Sequence, residues 1–342
     1  MRYDLLVLGR GLAGAVLAEA CRARGLSFHV LDVARAGSAS LAAAGVVNPV
    51  VLRHDMPSWR AAALLPLAEA CYGPWQQRLR ITCWHPLPLV KIFPAPGSAV
   101  QWAHALADPG TAPFLASRPE PTIDRAPLRA PHGYGTVTAS AWLDVPLLLD
   151  AQRRELLRDG QLTEGMVNPD AIQRTPAGVR VGAVEGRWLV YCTGPFAERP
   201  GLVPVQGETL TVRIPGLRLS CMVHRGIFLL PLGEDRYRIG ATFRWEEVWG
   251  GSSEAARTWL LERAQAFVDA PIEVLDQQSG VRPTTRDRRP LLGPIAPGEA
   301  VLNGLGARGV LQAPWCAAHL LDHLFADKPL DPEVDHARFP AG

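Results

Sequence analysis

The chain of 342 residues is almost without lysine: of its 35 basic residues only Lys91 and Lys328 are lysines, and the rest are arginines. A Schiff-base mechanism therefore has only two candidate amines, and neither lies in a recognisable motif. The sequence also lacks a phosphate loop of the Gly-x-x-x-x-Gly-Lys-Ser/Thr type. The net charge is only +2, so the charge balance does not favour a nucleic acid or an anionic membrane as a partner.

Long apolar runs and paired cysteines are missing as well. No apolar stretch reaches the roughly 18 residues of a membrane-spanning helix, and Asp4 interrupts the first one, so no signal peptide is expected. The six cysteines form no Cys-x-x-Cys pair, which argues against a zinc site or a disulfide framework. We expect a cytoplasmic protein without a metal, and its 48% hydrophobic content suits a chain of about two domains.

The first 32 residues predict a β-α-β unit with a phosphate-binding turn. Residues 5–8 form a continuous apolar run, typical of a strand buried on both faces. A Gly-x-Gly-x-x-Gly motif follows at 9–14, then a helix-favouring stretch at 15–24 and a second strand at 27–31. This context supports a dinucleotide site. Its candidate binding residues are Gly9, Gly11, Leu12, Ala13, Gly14 and Asp32.

Each residue type in this motif has a physical reason. Gly9 allows a tight turn, Gly11 lets a phosphate approach the backbone, and Gly14 lets the helix pack on the strand. The helix N-terminus offers unpaired N–H groups and a positive dipole end to a pyrophosphate. Asp32 accepts hydrogen bonds from a ribose, which favours FAD or NAD over NADP.

Later segments of the chain carry a resemblance to a known family. A stretch of small residues occupies 38–49, a capped helix begins at Asp144, and a strand at 187–192 runs into a Thr-Gly turn. Glycine-containing motifs follow at 280–294 and at 303–310, the second leading into a helix. In this order the segments resemble the D-amino-acid oxidase (DAO) family of FAD-dependent oxidoreductases, which includes glycine oxidases, sarcosine oxidases and the oxidase domain of a bacterial tRNA wobble-uridine modification enzyme.

The resemblance implies a fold of the α/β plus α+β type, in which a discontinuous Rossmann-like FAD-binding domain carries an inserted antiparallel-sheet substrate domain. The FAD-binding domain would comprise 1–58, 136–200 and 276–342. The substrate domain would comprise 59–135 and 201–275. Short strand-like runs at 208–214, 221–224, 227–231 and 237–243 agree with such a sheet.

The resemblance also implies the cofactor and its contacts. FAD would be non-covalent, because Gly280 stands where sarcosine oxidases attach flavin through a cysteine. Besides the first motif, the residues expected to contact FAD are Ala43, Ala44, Gly45, Val167, Thr193, Gly194, Gly304, Gly306, Ala307, Arg308, Gly309 and Val310.

Two arginines are implicated in the chemistry. Arg282 matches the family arginine that binds the substrate carboxylate, a role that suits its planar guanidinium. A structural ion pair with an acid such as Asp287 is the alternative. Arg238 stands where sarcosine oxidases carry an oxygen-activating lysine, so both an oxidase and a dehydrogenase remain open.

The implied reaction oxidises a C–N bond of an amino acid or secondary amine, with hydride transfer from the α-carbon to flavin N5 and an imine product. A nicotinamide-dependent dehydrogenase would explain residues 1–32 but not 280–310. Two further alternatives are an FAD-dependent oxidase acting on a carboxymethylaminomethyl group of tRNA and a non-catalytic FAD-binding protein. The expected partner is a small-molecule amine or amino acid; no membrane partner is expected, and tRNA remains the less favoured partner.

Overall fold

The structure is a computed structural model that describes residues 1–118, 120–121, 123 and 126–340. The described residues contain seven α-helices, numbered in chain order: α1 Leu12–Ala23, α2 Ala39–Ala42, α3 Ala61–Leu79, α4 Ser98–Ala107, α5 Val145–Arg158, α6 Glu254–Gln265 and α7 Gly309–Ala326. No helix within these described ranges is both long enough and apolar enough to cross a bilayer.

The strands in the described ranges are numbered in the same way. They are β1 Arg2–Leu8, β2 Phe28–Asp32, β3 Val46–Val47, β4 Val50–Val51, β5 Met56–Pro57, β6 Trp84–Pro86, β7 Leu89–Ile92, β8 Tyr134–Val137, β9 Ala141–Leu143, β10 Leu162–Glu164, β11 Ile172–Thr175, β12 Gly178–Val181, β13 Val184–Tyr191, β14 Leu202–Arg213, β15 Met222–Arg225, β16 Ile227–Gly233, β17 Arg236–Gly240, β18 Glu273–Thr285, β19 Leu291–Ala296 and β20 Glu299–Asn303.

The first sheet is built around parallel strands in the order β10, β2, β1, β13 and β20. The strand β1 is buried on both faces, as its apolar run predicts. Leu5 and Val7 pack in the main core with α1, α3, α5 and α7, whereas Leu6 packs on the other side with residues of β12. Neighbouring side chains point to opposite faces of a strand, so this run needs cover on both sides.

The second sheet has seven strands in the order β18, β14, β17, β16, β15, β7 and β8. All its neighbouring pairs are antiparallel except β15 with β7. One face packs against α6, where Leu210 and Ile239 meet Leu260 and Phe267 in a separate core. The opposite face carries Phe228 and other residues that line the large cavity of the protein.

The mixed α/β fold expected from the sequence is confirmed. The four strand-like runs between 208 and 243 appear as β14 to β17, although β14 begins at Leu202 and is longer than expected. The expected domain boundaries at 136 and 276 fall inside β8 and β18. Both of these strands pair within the second sheet. Asp144 caps α5, with Leu147 N donating to its Oδ1 at 3.1 Å.

Candidate active site

The two sheets enclose a cavity of about 1140 Å³. Small-molecule pockets in proteins usually measure about 300–1,000 Å³, so this cavity has room for an unusually large ligand. Its wall includes the ends of β1 and β2, the segment around α2, the loop that leads into α7, and the inner face of the second sheet. It therefore collects segments that are far apart in the sequence.

The turn between β1 and α1 forms one end of this wall. Gly9 has a φ of +100°, and a Cβ there would lie 2.6 Å from the carbonyl oxygen of Cys192. Gly11 is the N-cap of α1, and it has no side chain to cap the helix. The helix therefore presents N–H groups that can donate hydrogen bonds to an anion in the cavity. Leu12 and Ala13 also line the cavity.

Gly14 differs from the other glycines of this motif, because it is not part of the cavity wall. A Cβ at Gly14 would lie 1.9 Å from the carbonyl oxygen of Gly9 and 3.1 Å from Val7 Cγ1. The glycine therefore serves the close packing of α1 against the preceding turn.

Asp32 lies in the cavity wall at the end of β2. Its Oδ1 accepts a hydrogen bond of 2.8 Å from Arg10 N, and its Oδ2 is 3.7 Å from Arg10 Nε. Burial lowers the pKa of Arg10, and the Asp32 charge partly offsets that effect. The sequence analysis did not identify Arg10, which holds the carboxylate of Asp32 at the cavity.

The middle of the wall contains an unpaired polar atom. Thr193 Oγ1 is buried and has no hydrogen-bond partner among the described residues, an arrangement expected where a ligand supplies the missing partner. The wall here also includes four small or apolar residues expected from the sequence: Ala43, Ala44, Val167 and Gly194.

Gly45 lines the cavity too, but packing alone already requires a glycine there. Its φ is +69°, and a Cβ would lie 1.8 Å from the carbonyl oxygen of Leu143. Leu143 N donates a 3.0 Å hydrogen bond to the Gly45 oxygen. The absence of a side chain at Gly45 therefore allows this segment to pair with β9.

The loop before α7 and the first turn of this helix contribute five of their six candidate residues to the wall: Gly306, Ala307, Arg308, Gly309 and Val310. Gly304 is the exception. Its φ is +71°, and a Cβ would lie 2.7 Å from Thr285 Cγ2, so its role is to form the turn. Asn303 Nδ2 donates to the carbonyl oxygen of Gly194 at 2.8 Å and thereby joins this loop to the Thr-Gly turn after β13.

Arg282 reaches into the cavity from β18 across β14. Its Nη1 lies 3.2 Å from the carbonyl oxygen of Thr242 and 3.4 Å from that of Gln206, and its guanidinium lies 4.5 Å from the ring centre of Phe243. A Cβ at Gly207 would be 2.0 Å from Arg282 Nη2. Only a glycine at 207 therefore leaves space for the guanidinium, a dependence that the sequence analysis did not foresee.

No carboxylate among the described residues forms an ion pair with Arg282. The alternative of a pair with Asp287 is wrong, because Asp287 binds Arg338 at 2.7 Å instead. Burial lowers the pKa of Arg282 to about 10. A half-buried guanidinium that faces a cavity without an anion is a strong candidate for binding one.

The inner face of the second sheet also carries residues that the sequence analysis did not select. Thr209, Gly240, Phe228 and His224 lie in one cross-strand row on neighbouring strands and all line the cavity. The sequence showed only that His224 ends a short apolar run. Trp75, Trp84 and Trp102 are buried in the cores and do not line this cavity.

Comparison with known proteins identifies the family. The model of the DAO family, described as FAD dependent oxidoreductase, matches residues 4–323. The chain belongs to this family. It is an FAD-dependent oxidoreductase, so the expected class of enzyme and its cofactor are confirmed, and the nicotinamide alternative is not retained.

Relatives within and near the family were found by sequence and by structure. Over 367 aligned positions the chain is 29% identical to the tRNA 5-methylaminomethyl-2-thiouridine biosynthesis bifunctional protein MnmC of Caulobacter sp., covering 98% of this chain and 57% of that protein. The chain thus spans about half the length of this curated relative.

Two solved structures share the fold. Iminodiacetate oxidase from Chelativorans sp. superposes with a TM-score of 0.78 at 21% identity, covering 98% of both chains. Glycine oxidase from Geobacillus kaustophilus superposes with a TM-score of 0.74 at 22% identity, covering 99% of this chain and 98% of that one.

The cavity fits the cofactor of the family on structural grounds. It is large, the N-terminus of α1 borders it, and the unpaired Thr193 hydroxyl contributes to its wall. These features suit a long ligand that carries phosphates and many hydrogen-bonding groups.

Proposed function

We propose that this protein oxidises a C–N bond in an amine that carries a carboxylate, either an amino acid or a secondary amine. The observation that supports this most directly is Arg282, a half-buried guanidinium at the cavity that has no carboxylate partner among the described residues. A planar fork of N–H donors suits a carboxylate, which it can bind through two parallel hydrogen bonds.

The residues of this chain would bind and orient the substrate. Bound FAD supplies the acceptor for the two electrons that leave the C–N bond. Arg282 would hold the carboxylate, while Phe243 supports the guanidinium and Phe228 and Ala241 provide apolar surface beside it. Such an arrangement accelerates the reaction by fixing the distance and orientation of the reacting carbon.

The FAD would be held non-covalently along the cavity. Its pyrophosphate would lie at the N-terminus of α1, and Asp32 would accept hydrogen bonds from the ribose. The segment 43–45 would lie beside the flavin ring. The N-terminus of α7, an 18-residue helix, would stabilise negative charge at the pyrimidine edge of the flavin.

A second candidate substrate is a carboxymethylaminomethyl group on tRNA. It is favoured by the relatives named MnmC, of which several match this chain at 26–29% identity over 94–99% of its length. This group is itself a carboxylate-bearing secondary amine, so Arg282 would serve both substrates in the same way.

Anaerobic flavin spectroscopy tests the proposal. The purified protein, reconstituted with FAD, is mixed without oxygen with glycine, sarcosine, proline or D-amino acids, and separately with an oligoribonucleotide that carries the modified uridine. We expect the flavin band near roughly 450 nm to bleach with at least one of these amines. Readmission of air then separates an oxidase from a dehydrogenase.

The matched control is Arg282→Met, which keeps an unbranched side chain as far as the ε position but removes the guanidinium and its charge. This variant should retain bound FAD and be bleached by the same amine far more slowly and only at much higher amine concentrations. A flavin that stays oxidised with every amine and with the oligoribonucleotide would contradict the proposed function.

A further inference from the structure

The part of the cavity formed by the second sheet is mostly apolar or glycine. Within the described residues of this wall, three polar side chains line the cavity: Arg282, Thr209 and His224. Ligand sites commonly use a few such groups to fix orientation. Arg282 has a role in the proposed function, whereas His224 has none.

His224 lies at the far end of the cross-strand row that begins with Thr209. On β15 it pairs with Phe228 of β16, and on the other side it pairs with Lys91 of β7. No described residue forms a hydrogen bond with its imidazole. Both ring nitrogens therefore remain available to a molecule in the cavity.

Lys91 lies beside His224 and forms a buried ion pair. Its ammonium contacts both carboxylate oxygens of Asp55, at 2.5 and 2.6 Å, and the two side chains are only 8% and 3% exposed. The lysine is also 5.7 Å from the ring centre of Trp102. Because this ammonium is already bound, it is not a free cation for the substrate.

The imidazole of His224 is neutral at physiological pH. Burial lowers its pKa to about 4, and the positive charge of Lys91 adds to this effect. A neutral imidazole has one N–H donor and one acceptor nitrogen. It therefore suits an uncharged polar group better than a second carboxylate.

Arg282 and His224 are well separated across the sheet. The guanidinium lies next to Thr242, which follows β17, and His224 is on β15, two strands further along. At a strand spacing of about 4.8 Å, this separation is about 10 Å. A substrate that makes a hydrogen bond of about 3 Å to each residue must still span several ångströms between them. Glycine is too short to do so.

We propose that His224 is a specificity-determining residue that binds an uncharged hydrogen-bonding group on the arm of the substrate opposite its carboxylate. The substrate class is then a carboxylate-bearing amine whose second arm ends in a hydroxyl, an amide or a carbonyl group. The inference rests on the proposed function. The same chemistry is present in a small N-substituted glycine and in a carboxymethylaminomethyl uridine, whose uracil ring carries carbonyl groups.

The test compares two substrates of equal length. N-(2-hydroxyethyl)glycine and N-propylglycine differ in having a hydroxyl or a methyl group at the end of the second arm. Flavin reduction is followed after anaerobic mixing at several amine concentrations, which separates the dissociation constant from the rate of reduction. The proteins compared are the wild type, His224→Leu, His224→Gln and the control His104→Leu, because His104 is exposed on α4, away from the cavity.

We expect the wild type and His104→Leu to bind the hydroxyethyl compound about tenfold more tightly than the propyl compound, which corresponds to about 1.4 kcal/mol. His224→Leu should abolish this preference while still reducing the flavin with the propyl compound. His224→Gln should keep part of the preference, because an amide retains a donor and an acceptor.

A wild type that oxidises both compounds without preference would refute the role of His224, as would an unchanged preference in His224→Leu. If His224→Leu fails to retain FAD, the wild type and His224→Gln still decide the result. An oligoribonucleotide with the modified uridine is tested in the same way as the two small amines. If only the oligoribonucleotide reduces the wild-type flavin, and His224→Leu loses this reduction, the result would support the same contact of His224 with an RNA substrate. A wild type whose flavin is reduced neither by any of these amines, sarcosine included, nor by the oligoribonucleotide would refute the proposed function itself.

Discussion

Replacing Gly207 with alanine offers a precise perturbation of the carboxylate site. A Cβ at 207 would lie 2.0 to 2.2 Å from Nη2, Nη1 and Cζ of Arg282, whereas ordinary contact begins at 3.4 Å. The guanidinium therefore has to move by more than about 1 Å, and a misplacement of this size can reduce a rate by about 100-fold. The backbone of Gly207 is not in the left-handed region, so alanine introduces no conformational strain.

We expect Gly207→Ala to lower kcat/KM for a carboxylate-bearing amine by about 100-fold, or about 2.7 kcal/mol, mainly through KM. The flavin spectrum and the amount of bound FAD should remain as in the wild type. Steady-state kinetics with the amine that bleaches the flavin most effectively measures the effect. Gly73→Ala is the matched control, because a Cβ there meets nothing within 4 Å.

A double-mutant cycle isolates the cause. If the alanine acts only through the guanidinium, adding Gly207→Ala to Arg282→Met should change kcat/KM very little. A Gly207→Ala enzyme with unaltered kinetics would refute the reasoning. An equal loss in both backgrounds would mean that the alanine acts on the cavity by another route.

Three further predictions concern stability and cofactor binding. Arg282→Met removes a half-buried charge without a carboxylate partner, so urea unfolding should show a free energy within about 1 kcal/mol of the wild type; a loss of about 3 kcal/mol would indicate a structural role. Asp55→Asn leaves the Lys91 ammonium buried and unpaired and should cost about 3–5 kcal/mol, whereas Asp269→Asn, at an exposed pair, should cost less than about 1 kcal/mol. Gly14→Ala should displace α1 from the turn before it, because its Cβ would meet a carbonyl oxygen at 1.9 Å; FAD retention, read from the absorbance after gel filtration, should fall, and full retention would contradict this.

The parts of the fold that depend on nearby residues could be predicted from the sequence. The strand, turn and helix of the first 32 residues are specified within a single short segment, and the observed elements agree within a few residues. The cap of α5 is also local, because Asp144 contacts Leu147 only three positions later. For these elements, the pattern of apolar residues, glycines and caps contains the necessary information.

The parts that depend on distant pairing could not be predicted in this way. Gly207 is needed because Arg282, 75 positions later, lies across it, and this follows only from the register of β14 with β18. His224 faces the cavity and lies next to Lys91 because β15 and β7 pair in parallel. Gly304 belongs to an expected motif but serves turn formation, and only the assembled structure shows what its missing side chain would meet.

The scarcity of lysine makes the protein a simple target for chemical labelling. The side chain of Lys91 is 8% exposed and bound to Asp55, whereas that of Lys328 is 61% exposed, just beyond α7 and outside the cavity wall. Of the two lysine amines, an amine-reactive dye or resin should therefore attach to Lys328. Apart from the exposed N-terminal amine of Met1, such a protein is immobilised through one defined side chain, and its cavity remains unmodified.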